Sequence, residues 1–263
     1  MANWNTAICK INGINLHYTR TGGNKPPLIL LHGLITSGAC WTPVAKALEI
    51  EYDVIMPDAR GHGKSSKPDH GYQYQDHAND VVGLIEMLAL SSPIVIGHSM
   101  GGMTAALVAG HMQKLLCGLI MVDPPFLSLE VQREVYASDV CEQHRQLLNK
   151  TSDEILAAAR KRHPHRSLDI LKLLTEARHQ TSISAFQVLR PPYPEYKNLI
   201  SAIVVPSLLV ICEKGIVTLP MAEELRSFNP RLQIEKIPGV GHGLHYDQPE
   251  RFITTVKSFL SSI

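Results

Sequence analysis

Short runs of consecutive apolar residues recur along the first half of the chain, separated by segments whose apolar residues fall three or four apart. LILL (28–31), DVIMP (53–57), PIVI (93–96) and LCGLIMV (116–122) are of the first kind. Bounded by turn-forming residues, they predict strands buried on both faces. Residues from about 40 to 48 and from 76 to 88 are of the second kind, the latter with Ala78, Val81, Val82, Ile85 and Leu88 at helical spacing. AICKI and INLHYT flank Asn12-Gly13, a pair suited to the tight turn of a β-hairpin. Such strand–helix alternation predicts a mostly parallel sheet with helices on both faces.

The rhythm lapses after Pro124. From there to about Ala202 the pattern is helical, near 128–148, 152–162 and 167–178, with no strand. It resumes with PSLLVIC (206–212), a helix near 220–228, LQIEKI (232–237) and a last helix from about Pro249 to Leu260. The chain therefore divides into an α/β core, 1–123 and 203–263, and an inserted helical cap, 124–202. LRPPYPEY (189–196) reads as a rigid return from cap to sheet.

Composition changes this picture little. Of 263 residues, 44% are hydrophobic and 19% charged, enough apolar material for a substantial core. A formal net charge of +1 gives no ground for nucleic acid or a membrane surface as partner. No apolar run approaches the roughly 20 residues that span a bilayer, and MANWNTAICKINGINLHY lacks the basic and apolar regions of a secretory signal. Five cysteines (Cys9, Cys40, Cys117, Cys141, Cys212) are scattered without a CxxC pair, which predicts reduced thiols and a cytoplasmic protein.

Candidate chemistry begins at GHSMGG (97–102), between an apolar strand and a helix rich in glycine and alanine. A sharp turn from strand into helix forces the serine into a strained conformation and projects its hydroxyl above the end of the sheet. Bulky side chains two residues to either side would clash, hence Gly97 and Gly101. The helix also points its first amides at the same spot, favouring developing negative charge there. Ser99 is thus the candidate nucleophile, with the Met100 amide as one oxyanion donor.

LILLHGLITSGACW, DARGHGKSS, GHSMGGM and PGVGHGLHYDQPE, in this order and with these gaps, resemble the α/β-hydrolase superfamily from about residue 10 to the C-terminus. The resemblance implies an eight-stranded, mostly parallel sheet and a Ser-His-acid triad. It implies a second oxyanion donor, the Leu34 amide in the His32-Gly33-Leu34 turn. It implies His242, in the loop before the last helix, as general base, with His245 as runner-up. His32 and His98 flank motif glycines and read as makers of local hydrogen bonds; His62 resembles a structural histidine.

The family's commonest arrangement places an aspartate in a turn after the seventh strand. Aligned on PSLLVI, that turn reads Cys212, Glu213, Lys214, Gly215, and glycine stands at the acid position. Three candidates remain. Glu213 lies two residues early. Asp247, five residues after His242, reads as a solvated residue before the last helix. Asp123, in LIMVDPPF, leaves the sheet from the neighbouring strand, about 4.8 Å away. Asp123 is preferred, with Glu213 in reserve. VDPP with an acid-free seventh-strand turn resembles the N-formylmaleamate deformylase branch.

RKRHPHR (160–166) reads first as a solvated helix end and second as a patch attracting anionic substrates. Met103, Phe126, Leu127 and Leu219 adjoin the catalytic turns and are candidate substrate contacts. No metal or organic cofactor is implied. The leading reading is a serine hydrolase of small-molecule esters or amides, including a deformylase of an N-formyl amide. Cofactor-free perhydrolase or haloperoxidase chemistry, and a non-catalytic ligand receptor on the same scaffold, are the alternatives. A deformylase predicts a small cavity with a cation for a carboxylate; a lipidic ester predicts a long apolar tunnel.

Overall fold

The apolar runs become the centre of an eight-stranded sheet in the computed structural model, which describes residues 4–112 and 115–263. β1 (Asn5–Ile11) and β2 (Ile14–Arg20) form the hairpin at one edge. β3 (Pro27–Leu31), β4 (Asp53–Pro57), β5 (Ile94–His98), β6 (Gly118–Val122), β7 (Ser207–Lys214) and β8 (Leu232–Gly241) complete the sheet. Their order is β1-β2-β4-β3-β5-β6-β7-β8. β2 joins β4 antiparallel, and every pairing beyond it is parallel.

Side chains alternate across the strands and build two apolar layers. Leu28, Leu30, Ile94, Ile96, Ile120, Val122, Leu208 and Val210 face α1 (Thr42–Leu48) and the C-terminal helix, Pro249–Leu260. Ile29, Leu31, Val95, Leu119, Met121, Leu209 and Ile211 face α2 (Tyr74–Met87) and α3 (Met100–His111). Burial on both faces explains why the central strands are apolar runs rather than alternating ones.

Between β6 and β7 the chain leaves the sheet through α4 (Leu129–Ala137), α5 (Val140–Leu148), α6 (Ser152–Arg162), α7 (Leu168–Gln180) and α8 (Tyr196–Ala202). The helix expected over 128–148 is two. At Ser138 the backbone is extended and the side chain donates to the Val135 carbonyl, a local bond that competes with the helical ladder. A 3₁₀ turn (Ile183–Leu189) and α8 lie beyond the last helical segment expected in the cap, 167–178. α8 buries Leu199 and Ile200 in the same apolar layer as α3. α9 (Leu219–Phe228), α10 (Leu244–Asp247) and α11 (Pro249–Leu260) follow β7 and β8.

The loop after β4 is held by Asp58, 4% exposed, whose carboxylate accepts from His17 Nδ1, the Gly38 amide and the Lys64 amide at 2.8, 2.8 and 2.9 Å. It joins the hairpin, the turn before α1 and β4. Burial pushes its pKa up, but the His17 bond and the two amides outweigh burial and hold it below the ordinary carboxylate value. A carboxylate so depressed stabilises the fold above its unfolded pKa of 3.8 and loses that contribution as pH falls through the folded value. Asp58→Asn is therefore expected to cost about 2 kcal/mol at pH 7, and progressively less on acidification below pH 4, in urea unfolding curves.

Candidate active site

Ser99 stands where β5 turns into α3, at φ 52° and ψ −118°. A Cβ on Gly97 would lie 2.1 Å from the Gly101 carbonyl oxygen, and one on Gly101 would lie 2.4 Å from that of Leu31. Only glycines let strand, turn and helix approach so closely. The Ser99 amide donates to the Val122 carbonyl at 2.9 Å, pinning the turn to β6.

Asp123 follows directly on β6, also at positive φ (42°), and has no exposed surface. Its Oδ2 accepts from His242 Nδ1 at 2.6 Å; the Ile216 and Val217 amides donate to the same carboxylate at 2.9–3.0 Å, and the Cys212 thiol at 3.6 Å. Burial works to raise its pKa, but the hydrogen bond and charge of His242, then the two amides, hold it below the ordinary value. Glu213 instead accepts from the Gly239 amide at 2.8 Å on the exposed side of β7. Strand alternation turns it away from His242, and no loop swings it back. Gly215 accounts for the empty acid position: a Cβ there would lie 2.5 Å from Cys212 Sγ and 2.6 Å from Asp123 Oδ1. The Asp123 carboxylate occupies the space that a side chain on the seventh-strand turn would need.

His32 shapes the turn after β3. Its Nε2 accepts from the Ala59 amide at 2.9 Å, and its Nδ1 lies 2.8 Å from the Gly33 carbonyl. Ile35 then adopts φ 65°. Among the described residues, neither the Leu34 amide nor the Met100 amide donates to another protein group. His62 Nδ1 bonds the Arg60 carbonyl at 2.9 Å. His245, 2% exposed, stacks 4.5 Å from Trp41, and burial lowers its pKa far enough to keep it neutral. It faces the core rather than the cavity.

The α/β-hydrolase fold family matches residues 26–249. The chain belongs to that family. It is 29% identical to N-formylmaleamate deformylase of Pseudomonas putida, over 95% of this chain and 94% of the relative. It is 24% identical to 2-(acetamidomethylene)succinate hydrolase of Mesorhizobium japonicum, over 92% and 91%. The crystal structure of an E-2-(acetamidomethylene)succinate hydrolase superposes with a TM-score of 0.85 at 23% identity, covering 98% of this chain and all of that one. The chain is accordingly an enzyme, a hydrolase of the ester- and amide-cleaving kind.

In this hydrolase Ser99, His98, His242 and the Gly33–Thr36 turn line a cavity of about 730 Å³. α6, α7 and the loop between them supply Ile155, Arg162, His163, Arg166, Leu174 and Arg178; Lys214 and Asp247 complete its charged lining. Four permanent cations thus face one carboxylate. Arg166 is bidentate on Asp247, at 2.6 and 3.2 Å, and lies over the Tyr246 ring. Asp247 is therefore an ion-pair partner, not the solvated residue expected. Among the described residues no carboxylate pairs with Arg162 or Arg178. Burial, then Arg162 and Arg166, lowers the Arg178 pKa.

The basic run RKRHPHR is thus only partly a solvated helix end, because Arg162 at the end of α6 and His163 and Arg166 in the loop after it line the cavity that Ser99 also lines. The four expected substrate contacts need correction, since none lines this cavity. Met103 and Phe126 are fully buried in the layer beneath, Phe126 stacked on Tyr196. Leu127 packs on the same layer, and Leu219 is 45% exposed at the start of α9. Adjacency in sequence to a catalytic turn says nothing about which face of the turn a side chain takes. Among the described residues no group of three or more His, Cys, Asp or Glu side chains is arranged for a metal, and no helix is long and apolar enough to cross a membrane.

The niche around Asp123 sets a test. Gly215→Ala is expected to cost about 1–3 kcal/mol in thermal or urea unfolding, because the carboxylate or the thiol has to move. A neutral outcome would mean that Asp123 is not confined as described.

Proposed function

We propose that this hydrolase cleaves an ester or amide of a small, carboxylate-bearing molecule through an acyl-enzyme on Ser99. One observation carries the reading: His242 Nδ1 bonds the buried Asp123 carboxylate at 2.6 Å at the rim of the cavity that Ser99 lines. With Nδ1–H donated to Asp123, the neutral imidazole presents a bare Nε2 that takes the Ser99 proton as the hydroxyl attacks the carbonyl carbon. Asp123 offsets the imidazolium charge. The Leu34 and Met100 amides receive the oxyanion, each removal typically costing about 3–4 kcal/mol in the barrier. His242 then protonates the leaving group, and water releases the acid.

The charges above Ser99 support the substrate class. Arg162 and Arg178 have no protein carboxylate to neutralise them among the described residues, and an anion beside Arg178 would relieve the crowding of guanidinium groups. N-formylmaleamate deformylase and 2-(acetamidomethylene)succinate hydrolase are named for carboxylate-bearing compounds. A deformylase-like amidase fits this lining better than a lipase, although about 730 Å³ admits more than the smallest N-formyl amides. We read residues 124–202 as a cap that sets specificity, its helices α6 and α7 lining the cavity above Ser99. The free thiols Cys9, Cys40, Cys117, Cys141 and Cys212 support a reducing, cytoplasmic setting.

Ser99→Ala is expected to abolish both p-nitrophenyl acetate hydrolysis and fluorophosphonate labelling; unchanged hydrolysis would remove the mechanism. Asp123→Asn should lower kcat by about 10³–10⁴-fold, while Glu213→Gln stays within twofold. The reverse order would show the acid to be Glu213. Arg178→Gln should raise KM about tenfold for mono-p-nitrophenyl succinate and leave that for p-nitrophenyl acetate unchanged. Equal effects on the two esters would argue against a carboxylate subsite.

A further inference from the structure

His98, the residue before the nucleophile, is 5% exposed, and the triad chemistry leaves it without a role. Its Nε2 lies 2.9 Å from the main-chain carbonyl oxygen of His242. A carbonyl only accepts, so Nε2 carries the proton and Nδ1 of the neutral ring is a bare lone pair. That Nδ1 has no partner among the described residues. It lies where Gly33 passes closely, 3.0 Å from the position a Cβ there would take. A buried nitrogen left unsatisfied is a standing cost to the fold. A phenylalanine would fill the same space without it, so packing alone does not account for a histidine.

What the histidine adds is a side-chain bond from the residue next to Ser99 to the main chain of His242. β8 ends at Gly241, whose partner on β7 is Lys214, and α10 begins at Leu244. His242 and Gly243 therefore lie beyond the sheet ladder and before the helix. Asp123 orients the His242 ring through Nδ1, but a ring hinged on a movable main chain can keep that bond and still drift from Ser99. His98 belongs to β5, the strand that delivers Ser99, so its donor ties the base's main chain to the nucleophile's own turn.

We propose that His98 is a positioning residue whose Nε2–H holds the His242 main chain at a set distance from Ser99, and that the donor, not the ring, is what the reaction needs. The proposal rests on the Ser99-His242-Asp123 reading. Burial, then the neighbouring His245 and His242 (ring centroids 4.4 and 4.6 Å away), keeps the His98 ring neutral, consistent with a fixed Nε2–H tautomer.

The test separates donor from ring. Glutamine places an amide N–H close to the position of histidine Nε2 and has no ring; phenylalanine keeps the ring and has no donor. His98→Phe is expected to lower kcat on p-nitrophenyl acetate about ten- to hundredfold and to slow fluorophosphonate labelling in proportion, with KM within twofold. His98→Gln should recover most of that loss, to within about threefold of wild type. A packing role gives the opposite order, and that order, or equal rates in the two variants, overturns the proposal. Nitrogen-15 NMR of wild-type imidazoles supplies a second check that needs no variant to fold: His98 should be the neutral Nε2–H tautomer, and an Nδ1–H tautomer overturns the assignment. Activity retained by Ser99→Ala would instead sink the triad reading, a separate result in the same assay.

Discussion

Four donors converge on the Asp123 carboxylate: His242 Nδ1, the Ile216 and Val217 amides and the Cys212 thiol. A fully buried charge is tolerable only when its lone pairs are satisfied in this way. Each donor comes from a segment that must itself be in place. The amides require the turn after β7, the thiol requires β7 in register with β6, and the imidazole requires the loop after β8. The carboxylate thus ties together three strand ends that are remote in sequence. Gly215 is the counterpart of that arrangement, since the acid and any side chain at 215 compete for one volume.

Three non-glycine residues at this edge, Ile35, Ser99 and Asp123, have positive φ. Backbone of this kind typically costs on the order of 1–3 kcal/mol per residue and persists only where the surroundings over-determine it. Here the surroundings are the two apolar layers that bury β3, β5 and β6 on both faces. The sheet is stiff and apolar, and the strain collects where its strands end. This is also where the α3 N-terminus and the turn after β3 leave amides without an acceptor among the described residues, so strain and unsatisfied donors occupy the same rim.

In the proposed function, chemistry and recognition come from different parts of the chain. Ser99 and Asp123 follow directly on β5 and β6, whereas His242 lies in the loop after β8. The cations come mainly from α6, α7 and the loop between them, held to the rim through the Arg166–Asp247 pair and the packing of Arg166 against Gly243 and Tyr246. A strand-end site positions groups tightly, whereas a helical excursion can change its lining without disturbing the sheet.

Local pattern by itself determined the strands, most of the helices, the Ser99 turn and the excursion between Pro124 and Ala202. Each of these depends on burial periodicity or on glycine spacing within about a dozen residues. It also narrowed the candidate acids to three and favoured Asp123 over Glu213, but the contacts of each carboxylate lay beyond it, because an acid is defined by what its oxygens touch. The paired helices over 129–148, the α8 packing and the Arg166–Asp247 pair escaped for a related reason. A basic run looks the same in sequence whether it meets water or lines a cavity, and a hydrophobe beside the Ser99 turn looks the same whether it faces the cavity or the core. Only the tertiary structure decided these, because they depend on which surfaces meet across gaps of tens to more than a hundred residues.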